Sequence, residues 1–393
     1  MLVGGLSFHP VCRPWIYAGD EISAPRRGLF AIITDPDSSG FVLSPVIHGR
    51  VNEGNLKSPL GGKITSMAVK VTDHPGAMPI RDFDVRTDLL SVSDLVELCF
   101  ADRLSADGEA LLRKMRSSAH NKRFQDWAYS MAGRVSMPFT GYVWEEGGEI
   151  IGNLSLIPYH VSGKHYYMIA NVAVHPDYQR QGIARSLVRQ ALDFLLPRRL
   201  DGIWLQVDEG NQAAVDLYLR HGFVEVSRRT TWMLRPGDIP GEFLDWKVPG
   251  FSVEAHKSRH WPLQRRWLEK NYPPEVRWHL PLRPEYLRGG LAGKFSRLML
   301  LDPKISQWSL IAGSELIGVV SWQSSKTSAD WLWLASSPET EGVVLDAFLP
   351  HWMNLPGFKR SLRLNFPARK TNQSLETHWF KPTRTLIWMK YAG

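Results

Sequence analysis

The stretch Ala170-Asn171-Val172-Ala173-Val174-His175-Pro176-Asp177-Tyr178-Gln179-Arg180-Gln181-Gly182-Ile183-Ala184-Arg185-Ser186-Leu187 decides how this chain is read. An apolar run from Tyr166 to Val174 predicts a buried strand. A short polar loop follows. A helix then begins near Gly182, with Leu187, Val188, Ala191, Leu192 and Leu195 on one face. The first amides of a helix have no partner within it. Here they face one small space at the positive end of the helix dipole, together with the loop amides. That is a cradle for a pyrophosphate. Gly182 lets an anion approach the backbone, and Ala184 is small enough to do the same.

Working outward, residues 79–235 read as β-α-α-β-β-β-α-β-α-β. Ile80 to Arg86 is a strand. Ser91-Val92-Ser93-Asp94 opens one helix and Ala110 to Met115 forms another. Thr140 to Glu146 and Glu149 to Ile157 are strands about a Gly147-Gly148 turn. Trp204 to Val207 is a strand. Asn211 to His221 is a helix closed by Gly222. Phe223 to Val226 and Thr230 to Leu234 form a final pair. The class is α/β, with an antiparallel start and a βαβ centre.

Two parts of this text together resemble a family. Gln179-x-x-Gly182-x-Ala184 is similar to the acetyl-CoA loop of the GNAT N-acetyltransferase superfamily. Asn211-x-x-Ala214-x-x-Leu217-Tyr218-x-x-x-Gly222-Phe223 is similar to its second signature. The flavour is that of the bacterial enzymes that acetylate the N-terminus of a ribosomal protein. The resemblance covers roughly residues 79–235. It implies acetyl-CoA as co-substrate and a small-molecule or peptide amine as acceptor, attacked directly in a ternary complex. The backbone of Gln179, Arg180, Gln181, Gly182, Ile183 and Ala184 would hold the pyrophosphate. Val172, Ala173 and Val174 would pair with the pantetheine arm, in the slot opened by splay from the next strand. Asn211 would contact the pantetheine. Tyr218 would protonate the departing thiolate, since a phenol of pKa about 10 suits that task. Plainer roles stand beside these: Tyr218 as core, Asn211 as a helix N-cap, Tyr178 as loop packing, His175 as a turn residue.

One position departs from the ribosomal-protein subgroup. Where its members carry a Glu, this chain has Gln206. An amide cannot accept a proton, so the base is unassigned. Asp208, Glu209, Glu145 and Glu146 are the nearby carboxylates, and spacing places none of them. An acyl-CoA-binding sensor without catalysis is therefore the competing reading.

Residues 236–393 repeat the pattern once. Trp308 to Ile311, a turn, and Leu316 to Trp322 mirror Tyr142 to Leu156. Asp330 to Ala335 leads through Pro338 into a helix, Val343 to Met353. Ser361 to Phe366, a helix from Asn372, and Thr385 to Tyr391 complete it. The segment lacks the Gln-x-x-Gly-x-Ala loop, has Glu339 and Glu341 in its place, and has no match to Tyr218. The expectation is two tandem GNAT-like folds, the second degenerate and non-catalytic.

The chain has 393 residues, 44% hydrophobic and 22% charged, which excludes wholesale disorder. No apolar run is long enough to span a bilayer. Two cysteines, Cys12 and Cys99, exclude a disulfide framework or a cysteine-rich zinc site, and a cytoplasmic setting is expected. No metal is expected. Residues 1–78 read as a poorly ordered leader or a start set too far upstream. The net charge of +8 is uneven: residues 236–393 carry 21 Lys/Arg against 14 Asp/Glu and 11 of the 16 tryptophans. Trp261, Trp267 and Trp278, beside Arg259, Arg265, Arg266 and Arg277, are candidates to shape the acceptor site. Homodimerisation is open. Nucleic-acid binding is not expected, for no recognition motif is present.

Overall fold

The computed structural model describes residues 30–34, 41–45, 79–101, 106–240, 247–288, 304–354, 360–368 and 373–393. β1 (Phe30–Thr34) and β2 (Phe41–Pro45) pair as a separate antiparallel ribbon. The rest of the leader, and the expectation of poor order there, lies outside the described residues.

The first half holds β3 (Ile80–Asp82), α1 (Leu89–Phe100), α2 (Ala106–Ser118), α3 (Lys122–Met131), β4 (Thr140–Glu146) and β5 (Glu149–Val161). It continues with β6 (Lys164–Val174), α4 (Ile183–Leu195), β7 (Gly202–Asp208), α5 (Gln212–Leu219) and β8 (Phe223–Leu234). The second half holds β9 (Phe251–Ala255), α6 (Trp261–Asn271), α7 (Pro274–Arg277), α8 (Pro284–Leu287), β10 (Ile305–Ala312) and β11 (Glu315–Gln323). β12 (Ala329–Ser336), α9 (Glu341–Met353), β13 (Ser361–Pro367), α10 (Gln373–Thr377) and β14 (Lys381–Tyr391) follow.

Twelve strands form one mixed sheet in the order β3-β4-β5-β6-β7-β14-β8-β13-β12-β11-β10-β9. Six strands from each half run in mirror order, and the two sixth strands have changed places. β14 lies between β7 and β8, and β8 lies between β14 and β13. Among the described residues only β6–β7 and β12–β13 pair in parallel. The exchange is enforced by burial. Ile387 and Met389 of β14 sit in one apolar cluster with Leu205, Val207 and Phe223, while Trp232 and Leu234 of β8 sit in the core of the second half.

Alternation along β7 and β14 separates the two faces. Leu205, Val207, Ile387 and Met389 point toward α4 and α5. Trp204 and Trp388 point the other way, into a cluster with Leu89, Phe124 and Ala128 of α1 and α3 and with Val276 and Trp278 of the second half. A glycine in the third strand of each half lets a helix sit close. A Cβ on Gly152 would lie 2.8 Å from the Ile183 side chain, and one on Gly318 would lie 2.5 Å from Val344.

Several elements depart from the sequence reading. α1 begins at Leu89, two residues before Ser91, because Leu89 is buried and the Asp88 carboxylate anchors the preceding turn. That carboxylate accepts from Arg81 (2.6 Å), the Asp84 amide (2.8 Å) and Thr87 (2.9 Å). α3 was not expected. Its signal is local: Asn121 caps it by accepting from the Phe124 amide at 3.1 Å, and it buries Phe124 and Ala128. β8 is one continuous strand rather than two. The polar run Ser227-Arg228-Arg229 looks like a break in sequence, but Arg229 is buried in a polar site built by the second half. β9 and α6 were likewise not read from the sequence.

Candidate functional site

β6 and β7 pair only from Tyr166–Gly202 to Ile169–Leu205. Beyond that the two strands part and leave an opening between them, while β7 stays paired with β14 on its other edge from Trp204 to Asp208. On its other side β6 carries a bulge, where the register against β5 shifts between Asn153 and Ser155. Asn171 takes up the bulge in the left-handed region, at φ +50°, which Asn tolerates better than most residues. Buried Asn153 locks it by donating from Nδ2 to the Asn171 carbonyl at 2.8 Å, and Asn171 Nδ2 donates to Ser155 Oγ at 3.2 Å. Asn153 and Ser155 were missed by sequence reasoning. A polar residue at 153 in an otherwise apolar strand is the signal that could have found them.

The loop after β6 is wound tightly. Tyr178 donates its amide to the His175 carbonyl at 2.9 Å, and Gln179 Nε2 donates to the Val174 carbonyl at 3.2 Å. Cys99 of α1 reaches that same carbonyl at 3.3 Å. Arg180 and Gly182 are left-handed, at φ +64° and +87°. Alternation of this kind turns successive amides to one side, the geometry of an anion nest. Ser186 donates the first bond of α4, to the Gly182 carbonyl at 3.0 Å, so the amides of Ile183, Ala184 and Arg185 precede the ladder. Gln179 to Gly182 are exposed, and a Cβ on Gly182 would meet nothing within 4 Å. Ile183, by contrast, is buried against Gly152 and fixes the helix start.

Val172 and Val174 are half-buried along the opening, whereas Ala173 is buried on the other face against α1 and α2. Tyr218 is buried in the same cluster as Ile183, Leu187 and Val207, edge-on to Phe223 with ring centroids 6.0 Å apart. Burial pushes its hydroxyl well above the ordinary phenol range, so it is held as a proton donor. Asn211 is the N-cap of α5, its Oδ1 accepting from the Ala214 amide at 3.2 Å. Of the nearby carboxylates, Asp208 is paired with Arg384 (3.2 Å), Glu145 with Arg81 (2.6 Å) and Glu209 with Arg228. Gln206 Nε2 is buried with no hydrogen-bond partner among the described residues.

The arrangement offers exposed amides at a helix start, an unpaired edge of β6 beside it, and a buried phenol in the adjoining cluster. Residues 104–223 match the model of the acetyltransferase (GNAT) family. The mixed sheet flanked by helices is in keeping with that match. The chain is 44% identical over 62 residues to the [Ribosomal protein bS18]-alanine N-acetyltransferase of Escherichia coli (strain K12), a segment that is 16% of this chain. The chain spans about two fifths of that relative's length, 42% of it. A GNAT-type acetyltransferase structure from Sphaerobacter thermophilus aligns over 79% of this chain and 95% of its own, at TM-score 0.48 and 12% identity. A tandem GNAT protein from the clavulanic acid biosynthesis pathway aligns over 79% and 97%, at TM-score 0.42 and 13% identity. Among the described residues no cluster of His, Cys, Asp or Glu is arranged to hold a metal, and no helix is long and apolar enough to cross a membrane.

The second half has its own opening, since β12 and β13 pair only from Ala329–Ser361 to Trp331–Arg363. Side chains of α6 and of β8 occupy it. Asn271 at the end of α6 donates Nδ2 to the Leu334 carbonyl at 3.2 Å. Leu334 precedes Pro338 by the spacing at which Val172 precedes Pro176. Arg229, 1% exposed, donates to Asn365 Oδ1 at 2.5 Å, to the Asn365 carbonyl at 3.1 Å and to the Asn271 carbonyl at 2.9 Å. Tyr272 packs on Trp333 and Phe366. The link from β12 to α9 is only residues 337–340, and Thr340 stands at the N-cap position, without a side-chain cap bond, at φ −107° rather than in the left-handed region. Trp261 and Trp267 pack against the core of this half, while Trp278 crosses to the first.

Proposed function

We propose that this chain transfers an acetyl group from acetyl-CoA to a primary amine, by direct attack on the thioester in a ternary complex. The observation that carries the reading is the left-handed Gly182 at an exposed helix start, beside the opening between β6 and β7. Backbone amides from Gln179 to Ala184 hold the pyrophosphate. Val172 and Val174 present strand edges to the pantetheine arm. Tyr218 returns a proton to the thiolate as it leaves. Small-molecule and peptide amines are the acceptor class. The likeness to a ribosomal-protein alanine N-acetyltransferase brings a peptide N-terminus forward as the first acceptor to try.

The second half is read as a degenerate, non-catalytic fold. Its filled opening and shortened loop support that, and they lead to one acetyl-CoA per chain. The test is thiol release from acetyl-CoA with an alanine-terminated peptide and a panel of simple amines. The expected result is release in the wild type that falls in Tyr218→Phe. Acetyl-CoA binding without release by any amine favours the sensor reading instead, which the amide at Gln206 keeps in play.

A further inference from the structure

The two faces of the sheet bring different chemistry to the opening between β6 and β7. Ile169 and Leu205 are the last residues paired across it, and Gln206 is the first residue of β7 past that root. Gln206 stands opposite Trp388 across the β7–β14 ladder, and residues so paired share a face. Trp388 lies in the cluster on the α1–α3 side, so Gln206 faces that side too. Leu205, Val207 and Tyr218 lie together on the α4–α5 side. Gln206 therefore stands at the root on one face, and the cluster that holds Tyr218 adjoins it on the other.

Gln206 as a residue is only half-buried, yet its Nε2 is buried and has no hydrogen-bond partner among the described residues. Other buried atoms share that lack. Trp204 Nε1, Arg277 Nη1 and His279 Nδ1 do so in the packing around Trp278, which stacks on Tyr166 over the paired stretch of β6 and β7. Of all such atoms among the described residues, only Gln206 Nε2 belongs to the strand edges that bound the opening, residues 170–174 and 206–208. The polar groups beside it are engaged. Asn153 and Asn171 donate into the bulge, and Asp208 accepts from the Gly210 amide at 3.0 Å and from Arg384 at 3.2 Å.

The second half gives an internal comparison. Asn365 stands opposite Thr231 on β8 as Gln206 stands opposite Trp388 on β14. Both ends of that amide are engaged, its Oδ1 accepting from Arg229 at 2.5 Å and its Nδ2 donating to Thr231 Oγ1 at 3.4 Å. Where side chains occupy the opening, the amide is satisfied. Where the opening is left clear, a donor is left over. Such a donor is costly, and sites that bind or react are where that cost is carried. An amide nitrogen donates and does not accept, so the missing partner is an acceptor atom such as oxygen. The last torsion of Gln is broad, which lets the amide turn toward the opening.

We infer that Gln206 Nε2 donates to the thioester carbonyl oxygen and holds the negative charge that grows there as the amine attacks. The inference rests on the acetyl-transfer reading. A thioester carries its sulfur and its oxygen on one carbon, pointing apart. Sulfur directed to the Tyr218 face leaves the oxygen for the Gln206 face. The amine lone pair forms the C–N bond, and the carbonyl pair moves onto oxygen, where the Gln206 N–H meets it. That pair then returns and the C–S bond breaks. The thiolate takes its proton from Tyr218, and the nitrogen releases one to water. A donor aimed at a developing oxyanion acts on the transition state more than on the ground state.

The test follows thiol release from acetyl-CoA by the full chain with an alanine-terminated peptide, spermidine and glucosamine. Gln206→Met keeps the length of the side chain and removes the donor. It should lower kcat by about 10²- to 10³-fold, with the KM for acetyl-CoA unchanged. It should melt no lower than the wild type, because an unpaired buried donor has gone. The infrared carbonyl stretch of bound acetyl-CoA, isotope-labelled at the carbonyl carbon, should lie below that of free acetyl-CoA in the wild type and lose that shift in Gln206→Met. Gln206→Glu replaces the donor by a carboxylate and should fall at least as far as Gln206→Met. Unchanged kcat in Gln206→Met, or a Gln206→Glu as active as the wild type, overturns the inference and leaves acetyl transfer standing. Loss of activity together with a lower melting temperature or weaker acetyl-CoA binding makes Gln206 a packing residue and also overturns it. No release by the wild type with any of the three amines overturns the acetyl-transfer reading, and this inference with it.

Discussion

Gln206 and Trp388 lie opposite each other across the β7–β14 ladder, one from the middle of the chain and one from its last strand. The wall of the candidate site is thus finished by a strand from the other half. A fragment of residues 79–235 would bare the facing edges of β7 and β8 and the apolar side chains that cover Ile387 and Met389. Such edges pair with other chains. The fragment is expected to aggregate or to melt without cooperativity, by calorimetry, while the full chain melts as one unit.

Gly182→Val places a β-branched residue at φ +87°. The left-handed region costs a non-glycine residue about 1–2 kcal/mol, and no neighbour resists the new side chain. The fold should survive with a modest drop in melting temperature. The side chain would stand where the pyrophosphate must approach. Acetyl-CoA affinity, measured by titration calorimetry, should fall by more than about tenfold, beyond the strain cost alone.

Tyr218→Phe removes one hydroxyl from a packed ring and leaves the contact with Phe223. The expected result is a kcat lower by about 10²- to 10⁴-fold with little change in acetyl-CoA KM. An equal fall in affinity would mark Tyr218 as a binding or packing residue.

Arg229 and Asn271 fill the second opening. Titration of the wild type with acetyl-CoA should therefore give one site per chain. Arg229→Ala would leave Asn365 and the Asn271 carbonyl without their buried donor, at about 1–3 kcal/mol for each stranded group. The chain should melt several degrees lower, and the stoichiometry should stay at one. Two sites in the wild type would refute the filled opening.

His279 also sets a pH dependence. Its pKa is lowered to about 4 in the folded chain, below the ordinary 6.5. Between those values the unfolded chain binds the extra proton, so stability rises with pH and is lost as pH falls from about 6.5 to 4. The full loss from this group is about 3 kcal/mol. His279→Gln should flatten that part of the melting curve against pH. The same slope in both proteins would contradict the burial.

Much of the local geometry around the candidate site was legible because its signals are local. A glycine required by a left-handed turn, a proline that ends a strand, and a cap residue before a helix depend on near neighbours only. Gly182, Pro176 and Asn211 are of that kind. Asn153 was not, because its purpose is to hold a bulge in a strand eighteen residues later. Trp278 was legible only as an aromatic in a basic stretch. Nothing in its neighbourhood says that it stacks on Tyr166 rather than in its own half, as Trp261 and Trp267 do.

By itself the sequence determined most of the strands and helices, though not α3, β9 or α6, and the tight turn before α4, because hydrophobic period and backbone conformation are properties of short segments. Tertiary structure decided which strand finishes which half. β8 and β14 both offer alternating apolar faces that suit either core, and only packing the two halves together selects the exchange. That exchange brings Trp388 to Gln206, and His279 to Trp388. Segments far apart in the chain meet there because burying both cores in one continuous sheet leaves no open edge between the halves.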